Sequence, residues 1–149
     1  MYTQYIDSPL GPVKIAASAA GISEIRFVSQ AETEHRSALT EHAARQLNDY
    51  FSGNLSRFSL PLDAAGTAFQ HKVWQALCRV PFGTTCSYAT IAGDINNINA
   101  VRAVGAANGR NPIAIVVPCH RVIGANGTLT GYAGGLDKKA WLLKHEQRR

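Results

Sequence analysis

The sequence predicts a protein of the mixed α/β (α+β) class, with a small N-terminal β-sheet domain that carries one helix and a mainly helical C-terminal domain. Apolar and polar residues alternate with the period of β-strands in the first third of the chain. From residue 67 onward, apolar residues recur at helical spacing behind side chains that favour helix starts. A chain of 149 residues is long enough for two small domains with hydrophobic cores. We predict that these domains span residues 1–66 and 67–149.

Two stretches of the N-terminal domain are predicted to be paired strands. "VKIAAS" and "ISEIRFV" flank Gly21, a pattern typical of strand, turn and strand. Helical spacing then predicts a helix that ends near Gly53. The residues expected on its buried face are Leu39, Ala43, Leu47 and Tyr50 or Phe51. "RFSLPLD" is interpreted as a further strand, and "DAAG" at residues 63–66 as a linker.

The C-terminal domain begins with a helix-start pattern. Thr67 and Gln70 have the spacing of a capping box, and the helix that follows is expected to bury Phe69, Val73 and Leu77. Ser87 is a second candidate cap, for a short helix from Tyr88 to about Gly93, and Asn97 a candidate cap for a third helix carrying "AVRAVGAA". Two short helices joined by a tight turn predict a helix-turn-helix.

Small residues dominate the third helix, which contains Arg102 as its one long cation. They are Ala100, Ala103, Gly105, Ala106 and Ala107. Such a helix either packs tightly against another helix or approaches a second surface closely. The region is basic, because residues 67–149 hold ten Lys or Arg against three Asp or Glu, whereas residues 1–66 hold five against seven. This asymmetry indicates either a solvated basic surface or a polyanionic partner such as nucleic acid.

The composition indicates a globular intracellular protein. Apolar residues make up 46% of the chain and charged residues 17%, and the run "IAIVV" is too short to cross a membrane. The chain does not open with a signal-peptide pattern, so we expect it in the cytoplasm. Its three cysteines, Cys78, Cys86 and Cys119, match no zinc-binding spacing and leave one unpaired in any disulfide scheme. Reduced thiols are therefore expected.

"IAIVVPCHRVIG" contains the candidate reactive group. The apolar run predicts a buried strand that leads through Pro118 into Cys119, His120 and Arg121. A cysteine in this position is either a small core residue or a nucleophile, and the neighbouring imidazole and guanidinium favour a thiol pKa below its usual value of about 8.5. Neighbours on an extended chain point apart, so a bridging water is expected to carry the thiol proton to His120. The acidic candidates to orient the imidazole are Asp94, Asp137 and Glu146.

The second half of the chain resembles the O6-alkylguanine-DNA alkyltransferases (methylated-DNA–protein-cysteine methyltransferases). "PCHRV" carries the resemblance together with "FQHKVWQAL", "PFGTTCSYATIA", "AVRAVGAANGRNP", "GYAGG" and "WLLKHE", in this order. The N-terminal part resembles the ribonuclease-H-like domain of that family more loosely. The resemblance implies direct repair of duplex DNA, in which Cys119 takes an alkyl group from O6 of guanine, or more slowly from O4 of thymine.

The resemblance also implies roles for individual residues. His120 would relay the thiol proton through a water, Glu146 would orient His120, and Asn111 would brace the turn that holds Cys119 and His120. Tyr88 would supply a hydroxyl to the guanine ring, and Arg102 would fill the space left by the flipped nucleotide. The small residues Ala103, Gly105 and Ala106 would lie in the minor groove. The base would be framed by Val122, Tyr132, Ala133 and Gly134.

Many relatives have serine where this chain has Ala133, and those that bind zinc do so through cysteine and histidine of the N-terminal domain. The first difference puts tolerance of bulky O6 groups in doubt. This chain has no cysteine before Cys78, so we expect no zinc and no cofactor. We also expect a monomer without membrane association.

The chemistry favours one turnover, because a thiolate is a strong nucleophile for an alkyl carbon and the thioether product offers water no acyl carbon. The alternatives are a non-catalytic protein that binds alkylated DNA and a Cys–His hydrolase.

Overall fold

The chain forms two compact units in a computed structural model that describes residues 1–147. The first unit spans Met1–Ala65, and the second begins at Gly66. Within the described residues, no helix combines the length and the apolar character needed to cross a membrane. The architecture is the predicted mixed one, with a sheet and one helix in the first unit and mainly helices in the second.

The first unit is an antiparallel sheet of three strands in the order β1–β2–β3, covered by one helix. The strands are β1 (Tyr2–Ser8), β2 (Gly11–Ala17) and β3 (Ile22–Phe27), and the helix is α1 (Ala38–Phe51). The predicted strand–turn–strand and the predicted helix are thus confirmed. Ser37 caps α1 by accepting a hydrogen bond from the backbone N–H of Thr40. The core consists of residues from the sheet and the inner face of α1: Val13, Ile15, Ile22, Ile25, Ala43, Leu47 and Tyr50.

The prediction of a strand at "RFSLPLD" is wrong. This segment forms no strand, and it is linked to the sheet by an isolated bridge between Ile22 and Leu62. Pro61 has no N–H to donate, so it cannot continue a ladder. The N–H of Ser59 is taken by the side chain of Gln46 in α1, at 3.0 Å from Oε1. A side chain therefore occupies a backbone group that a neighbouring strand would need.

The described part of the second unit, up to residue 147, contains four α-helices: α2 (Ala68–Leu77), α3 (Tyr88–Asp94), α4 (Val101–Gly109) and α5 (Leu136–Glu146). The predicted capping box is confirmed, since Thr67 and Gln70 exchange side chain–backbone hydrogen bonds at the start of α2. The Ser87 cap of α3 is confirmed as well. Trp74 lies in the core of this unit and donates its indole N–H to the carbonyl oxygen of Ala107 at 2.9 Å. This bond joins α2 to α4.

A turn over residues 95–100 joins α3 to α4, which pack against each other as the predicted helix-turn-helix. The prediction that Asn97 caps α4 is wrong. The carbonyl oxygen of Asn97 accepts a hydrogen bond from Ala100, and the helix begins only at Val101 without a side-chain cap. Asn97 therefore belongs to the turn, and the left-handed Asn96 before it (φ 59°) ends the preceding helix.

The predicted strand at "IAIVV" is also wrong. Residues 113–117 form a compact turn in which the N–H of Val117 donates to the carbonyl oxygen of Ile113 at 3.0 Å. Ile115 is buried with a φ of 72°, a left-handed conformation that is rare for a β-branched residue. The run of apolar residues at 113–117 is explained by the burial of this turn, and not by a strand. The short strands nearby are β4 (Cys86–Ser87) and β5 (Val122–Ile123), which pair in parallel.

Candidate active site

Cys119 opens a single 3₁₀ turn, Cys119–Arg121, directly after the turn at residues 113–117. The strand prediction implied an extended chain at the cysteine, and the 3₁₀ turn shows that the chain is not extended there. In a 3₁₀ helix successive side chains point about 120° apart around the axis. The side chains of Cys119, His120 and Arg121 therefore point in three different directions, and all three are buried in the second unit.

The side chain of Asn111 holds the turn that presents Cys119. Its amide nitrogen donates to the carbonyl oxygens of Val117 at 2.8 Å and Ile113 at 3.3 Å, and its amide oxygen accepts from the N–H of Ile113 at 3.0 Å. A left-handed β-branched residue costs about 1–3 kcal/mol and persists only where its surroundings over-determine it. The three bonds of Asn111 supply that constraint around Ile115.

The expectation of a lowered thiol pKa is wrong. Burial raises the pKa of the Cys119 thiol, and its effect exceeds the opposite effects of a hydrogen bond from Asn111 and the positive charge of Lys139. Desolvation penalises the thiolate more than these neighbours favour it. The thiol is therefore protonated at neutral pH, and any reaction of its sulfur needs a proton acceptor.

His120 and Arg121 both bind the carboxylate of Glu146. The imidazole Nε2 lies 2.6 Å from Oε2 of Glu146, and Arg121 donates from Nε to Oε1 at 2.8 Å and from Nη2 to Oε2 at 3.1 Å. Arg121 also donates from Nη1 to the carbonyl oxygen of Val80 at 2.8 Å and lies over the ring of Phe82. Of the three acidic candidates, Glu146 is thus the one that orients the imidazole.

The imidazole of His120 is neutral and buried. Burial lowers its pKa, and the opposing effect of Glu146 is smaller, so the ring is neutral at pH 7. With Nε2–H donated to Glu146, the lone pair of the neutral ring is on Nδ1. This atom is buried, and among the described residues it has no hydrogen-bond partner. Nδ1 is therefore the nitrogen with a free lone pair.

Lys139 is a residue of this site that the sequence analysis missed. Its ammonium is buried and donates to the carbonyl oxygens of Val122 at 2.7 Å and Thr130 at 3.0 Å. The signal was in the helical spacing, because Lys139, Leu142 and Glu146 recur at intervals of three and four residues and are the buried face of α5. Helix α5 has three lysines, and a lysine is rarely fully buried, so the sequence did not single out Lys139.

Tyr88 and Tyr132 differ in their surroundings. Tyr88 opens α3, is hydrogen-bonded through its hydroxyl to Thr130, and packs its ring near Gly105, where a Cβ would lie 3.9 Å from Cδ1 of the ring. The hydroxyl of Tyr132 is buried without a hydrogen-bond partner in the described part of the chain. Burial, followed by the charges of Cys119 and Glu146, raises the pKa of Tyr132 well above its usual value.

The remaining predicted residues lie on α4 and in the loop before α5. Arg102, Ala103 and Ala106 are exposed on α4, whereas Val104, Ala107 and Asn108 form its buried face. Tight helix packing therefore does not explain the small size of Ala103 and Ala106. Ala133 is exposed and Gly134 half-buried in the loop. Over residues 1–147, no group of three His, Cys, Asp or Glu side chains is placed to hold a metal ion.

Comparison with known proteins identifies the family. The chain matches the 6-O-methylguanine DNA methyltransferase family through its ribonuclease-like domain at residues 1–64 and its DNA binding domain at residues 68–148. The chain belongs to this family. A methylated-DNA–protein-cysteine methyltransferase of Methanosarcina barkeri is 48% identical over 99% of this chain and 98% of its own length. One from Mycobacterium tuberculosis H37Rv is 48% identical over 97% and 91%.

A solved structure of Mycobacterium tuberculosis OGT in complex with DNA has the same fold, with a TM-score of 0.90, 47% identity, and coverage of 99% of this chain and 93% of that one. The family membership confirms the predicted resemblance, the fold class and the activity. The protein is a methyltransferase of DNA repair that works by alkyl transfer, and DNA is its partner. A non-catalytic lesion-binding protein is not favoured.

Proposed function

We propose that Cys119 is the acceptor of the alkyl group and that His120, Glu146 and Asn111 prepare it for attack. The observation that carries this proposal is a buried, protonated thiol followed directly in the chain by a buried, neutral imidazole, whose Nε2 is held by the carboxylate of Glu146. An arrangement of nucleophile, base and orienting acid is the general solution for activating a weak nucleophile. Asn111 keeps the nucleophile in place through the turn.

The proposed step transfers one alkyl group and two protons. The thiol proton passes through a bridging water to Nδ1 of His120, and the sulfur of Cys119 attacks the alkyl carbon attached to O6. The S–C bond forms as the C–O6 bond breaks, and the electron pair stays on the guanine, which takes up one proton from solvent while His120 returns the thiol proton to solvent. Tyr88 is proposed to donate a hydrogen bond to the guanine ring as this charge develops. The thioether that results does not hydrolyse, so each molecule acts once.

The target is proposed to be O6-alkylguanine, and more slowly O4-alkylthymine, flipped out of duplex DNA into a pocket framed by Val122, Tyr132, Ala133 and Gly134. The exposed face of α4 supports binding in the minor groove. The short side chains of Ala103 and Ala106 let the helix backbone approach the groove closely, and the exposed Arg102 is long enough to enter it. Extrusion of the base costs a few kcal/mol, which the inserted Arg102 would offset. A monomer suffices for this reaction, since every proposed residue comes from one chain.

The cytoplasm is the proposed compartment. All three cysteines of the chain are free thiols, and Cys119 must remain reduced to act as a nucleophile.

Intact mass measurement tests the proposed function directly. Incubation with excess duplex containing O6-methylguanine should add about 14 Da, one CH2 group, to each protein molecule and no more. Peptide mapping should locate the added mass on Cys119. A mass that returns to its starting value, or a methyl group on Cys78 or Cys86, would contradict the proposal. A Cys–His hydrolase would give no lasting mass change.

Replacement of Arg102 separates base replacement from general DNA affinity. Arg102→Ala should slow repair of a paired O6-methylguanine about a hundredfold, because about 3 kcal/mol of the cost of flipping is no longer offset. Reaction with free O6-benzylguanine, or with a mismatched lesion, should suffer much less, provided that Ala133 permits the bulky base. The measurement is the single-turnover rate on each substrate.

Arg110 provides the matched control, because it is exposed at the other end of α4 and carries the same charge. Arg110→Ala should weaken binding to all duplexes alike, with a salt slope reduced by about one. Equal losses on paired and free substrates for Arg102→Ala would exclude the base-replacement role.

A further inference from the structure

Thr130 is hydrogen-bonded to the hydroxyl of Tyr88, which is proposed to donate to the substrate base. Its Oγ1 and the hydroxyl of Tyr88 form a hydrogen bond between residues that are 42 positions apart in the chain. Both side chains are half-buried, so the bond lies at the edge of the site and not in solvent. Thr130 belongs to the loop between β5 and α5, whereas Tyr88 is the first residue of α3. The bond therefore connects the helix-turn-helix to the loop.

The backbone of Thr130 is itself held in place. Its carbonyl oxygen accepts a hydrogen bond from the buried ammonium of Lys139 at 3.0 Å, and the same ammonium donates to the carbonyl oxygen of Val122 at 2.7 Å. Val122 directly follows the turn that contains Cys119. Lys139 thus fixes Thr130 relative to the segment that carries the thiol, and Thr130 is a rigid reference point for the Tyr88 hydroxyl.

The direction of the Tyr88–Thr130 bond decides what Tyr88 can offer to a base. Each hydroxyl has one proton to donate and accepts through its oxygen lone pairs. If Tyr88 donates to Thr130, its only proton is occupied and the ring nitrogen of a guanine receives nothing. If Thr130 donates to Tyr88, the phenolic proton is free for the base, and a bond accepted by the phenol oxygen strengthens the bond that it donates.

We propose that Thr130 is a positioning residue of alkyl transfer, whose hydroxyl donates to Tyr88 when a base is bound and so directs the Tyr88 proton toward the guanine ring. This inference rests on the proposed role of Tyr88 in the function above. Thr130 acts only through Tyr88 and affects the rate of transfer. DNA affinity is set by other residues, because the exposed face of α4 contains neither side chain.

A double-mutant cycle tests the inference. Thr130→Val keeps the shape of the side chain and removes the hydroxyl, and Thr130→Ser keeps the hydroxyl. Single-turnover rates on a saturating O6-methylguanine duplex should fall about tenfold for Thr130→Val, the effect of one hydrogen bond, and stay within about twofold for Thr130→Ser. In a Tyr88→Phe background, Thr130→Val should cause no further loss. Affinity for the same duplex, measured with Cys119→Ala in each protein, should not change.

The outcomes distinguish this inference from the proposed function. Equal losses from Thr130→Val in both backgrounds, or a weakened affinity, would show that Thr130 only packs the loop. A slow Tyr88→Phe with an unaffected Thr130→Val would overturn this inference and leave the role of Tyr88 standing. An unaffected Tyr88→Phe would overturn both. If Thr130→Val lowers the melting temperature, Thr130→Ala gives the same comparison without a branched side chain, and the same criteria apply.

Discussion

Cys119→Ala should abolish alkyl transfer while the protein still binds DNA. The thiol is the only group proposed to form a bond to the alkyl carbon, and no hydroxyl or amine at the site has a comparable nucleophilicity. Intact mass after incubation with an O6-methylguanine duplex should stay at its starting value. Affinity for the duplex should remain, because Cys119 is buried whereas Arg102, Ala103 and Ala106 of α4 are exposed.

Cys78 and Cys86 are the matched controls for this substitution. Cys78 lies at the end of α2 and Cys86 is half-buried in β4, and partial desolvation of the sulfur raises the pKa of both thiols. Cys78→Ala and Cys86→Ala should each retain the transfer rate. Substantial transfer by Cys119→Ala would show that Cys119 is not the alkyl acceptor. Loss of transfer in Cys78→Ala or Cys86→Ala would point to that thiol as the acceptor instead.

Glu146→Gln should damage both the reaction and the fold. The carboxylate accepts hydrogen bonds from His120 and from two nitrogens of Arg121, and both partners are buried. An amide in its place leaves the guanidinium uncompensated, which costs about 3–5 kcal/mol of unfolding free energy for a buried pair. Transfer should slow about a hundredfold, since an oriented proton acceptor contributes at least that much. Thermal melting and single-turnover rates below the melting temperature measure the two effects.

Two further variants separate orientation of the imidazole from packing of α5. His120→Ala should slow transfer to a similar extent but destabilise the protein less, because the Arg121–Glu146 pair survives. The double variant should be little slower than either single one, as expected for residues that act as a unit. Asp137→Asn, at an exposed position of the same helix, should change neither quantity. Strictly additive rate effects would mean that Glu146 only packs the helix.

The stability contributed by His120 should decrease as the pH falls. Its pKa in the folded protein is lowered by burial below the unfolded value of about 6.5, so the unfolded state binds the proton more readily. The contribution is therefore complete above pH 6.5 and is lost as the pH falls through the folded pKa. This sign agrees with a neutral imidazole that accepts a proton at physiological pH.

Short-range patterns in the sequence were sufficient for the helix starts, for the family and for the candidate nucleophile. The capping pairs at Thr67 and Ser87 could be predicted because a cap and its partner are three residues apart. Helical spacing likewise located α1 from its buried face. The two wrong strand predictions fell where a local apolar run allowed two structures. At residues 113–117 the side chain of Asn111 and the left-handed Ile115 favour a turn over a strand.

Interactions between distant residues were decided by the tertiary structure. The sequence placed a guanidinium and an imidazole beside Cys119 and so predicted a lowered thiol pKa, but burial raises it, and burial is a property of the packed unit. Glu146 accepts hydrogen bonds from Arg121 and His120, which precede it by 25 and 26 residues in the chain. Thr130 and Tyr88 are hydrogen-bonded although they lie 42 positions apart in the chain. The sequence by itself determined which chemical groups are present and which local turns they favour. Desolvation and long-range pairing depend on which surfaces meet in the folded chain, so only the structure determined how those groups are charged and held.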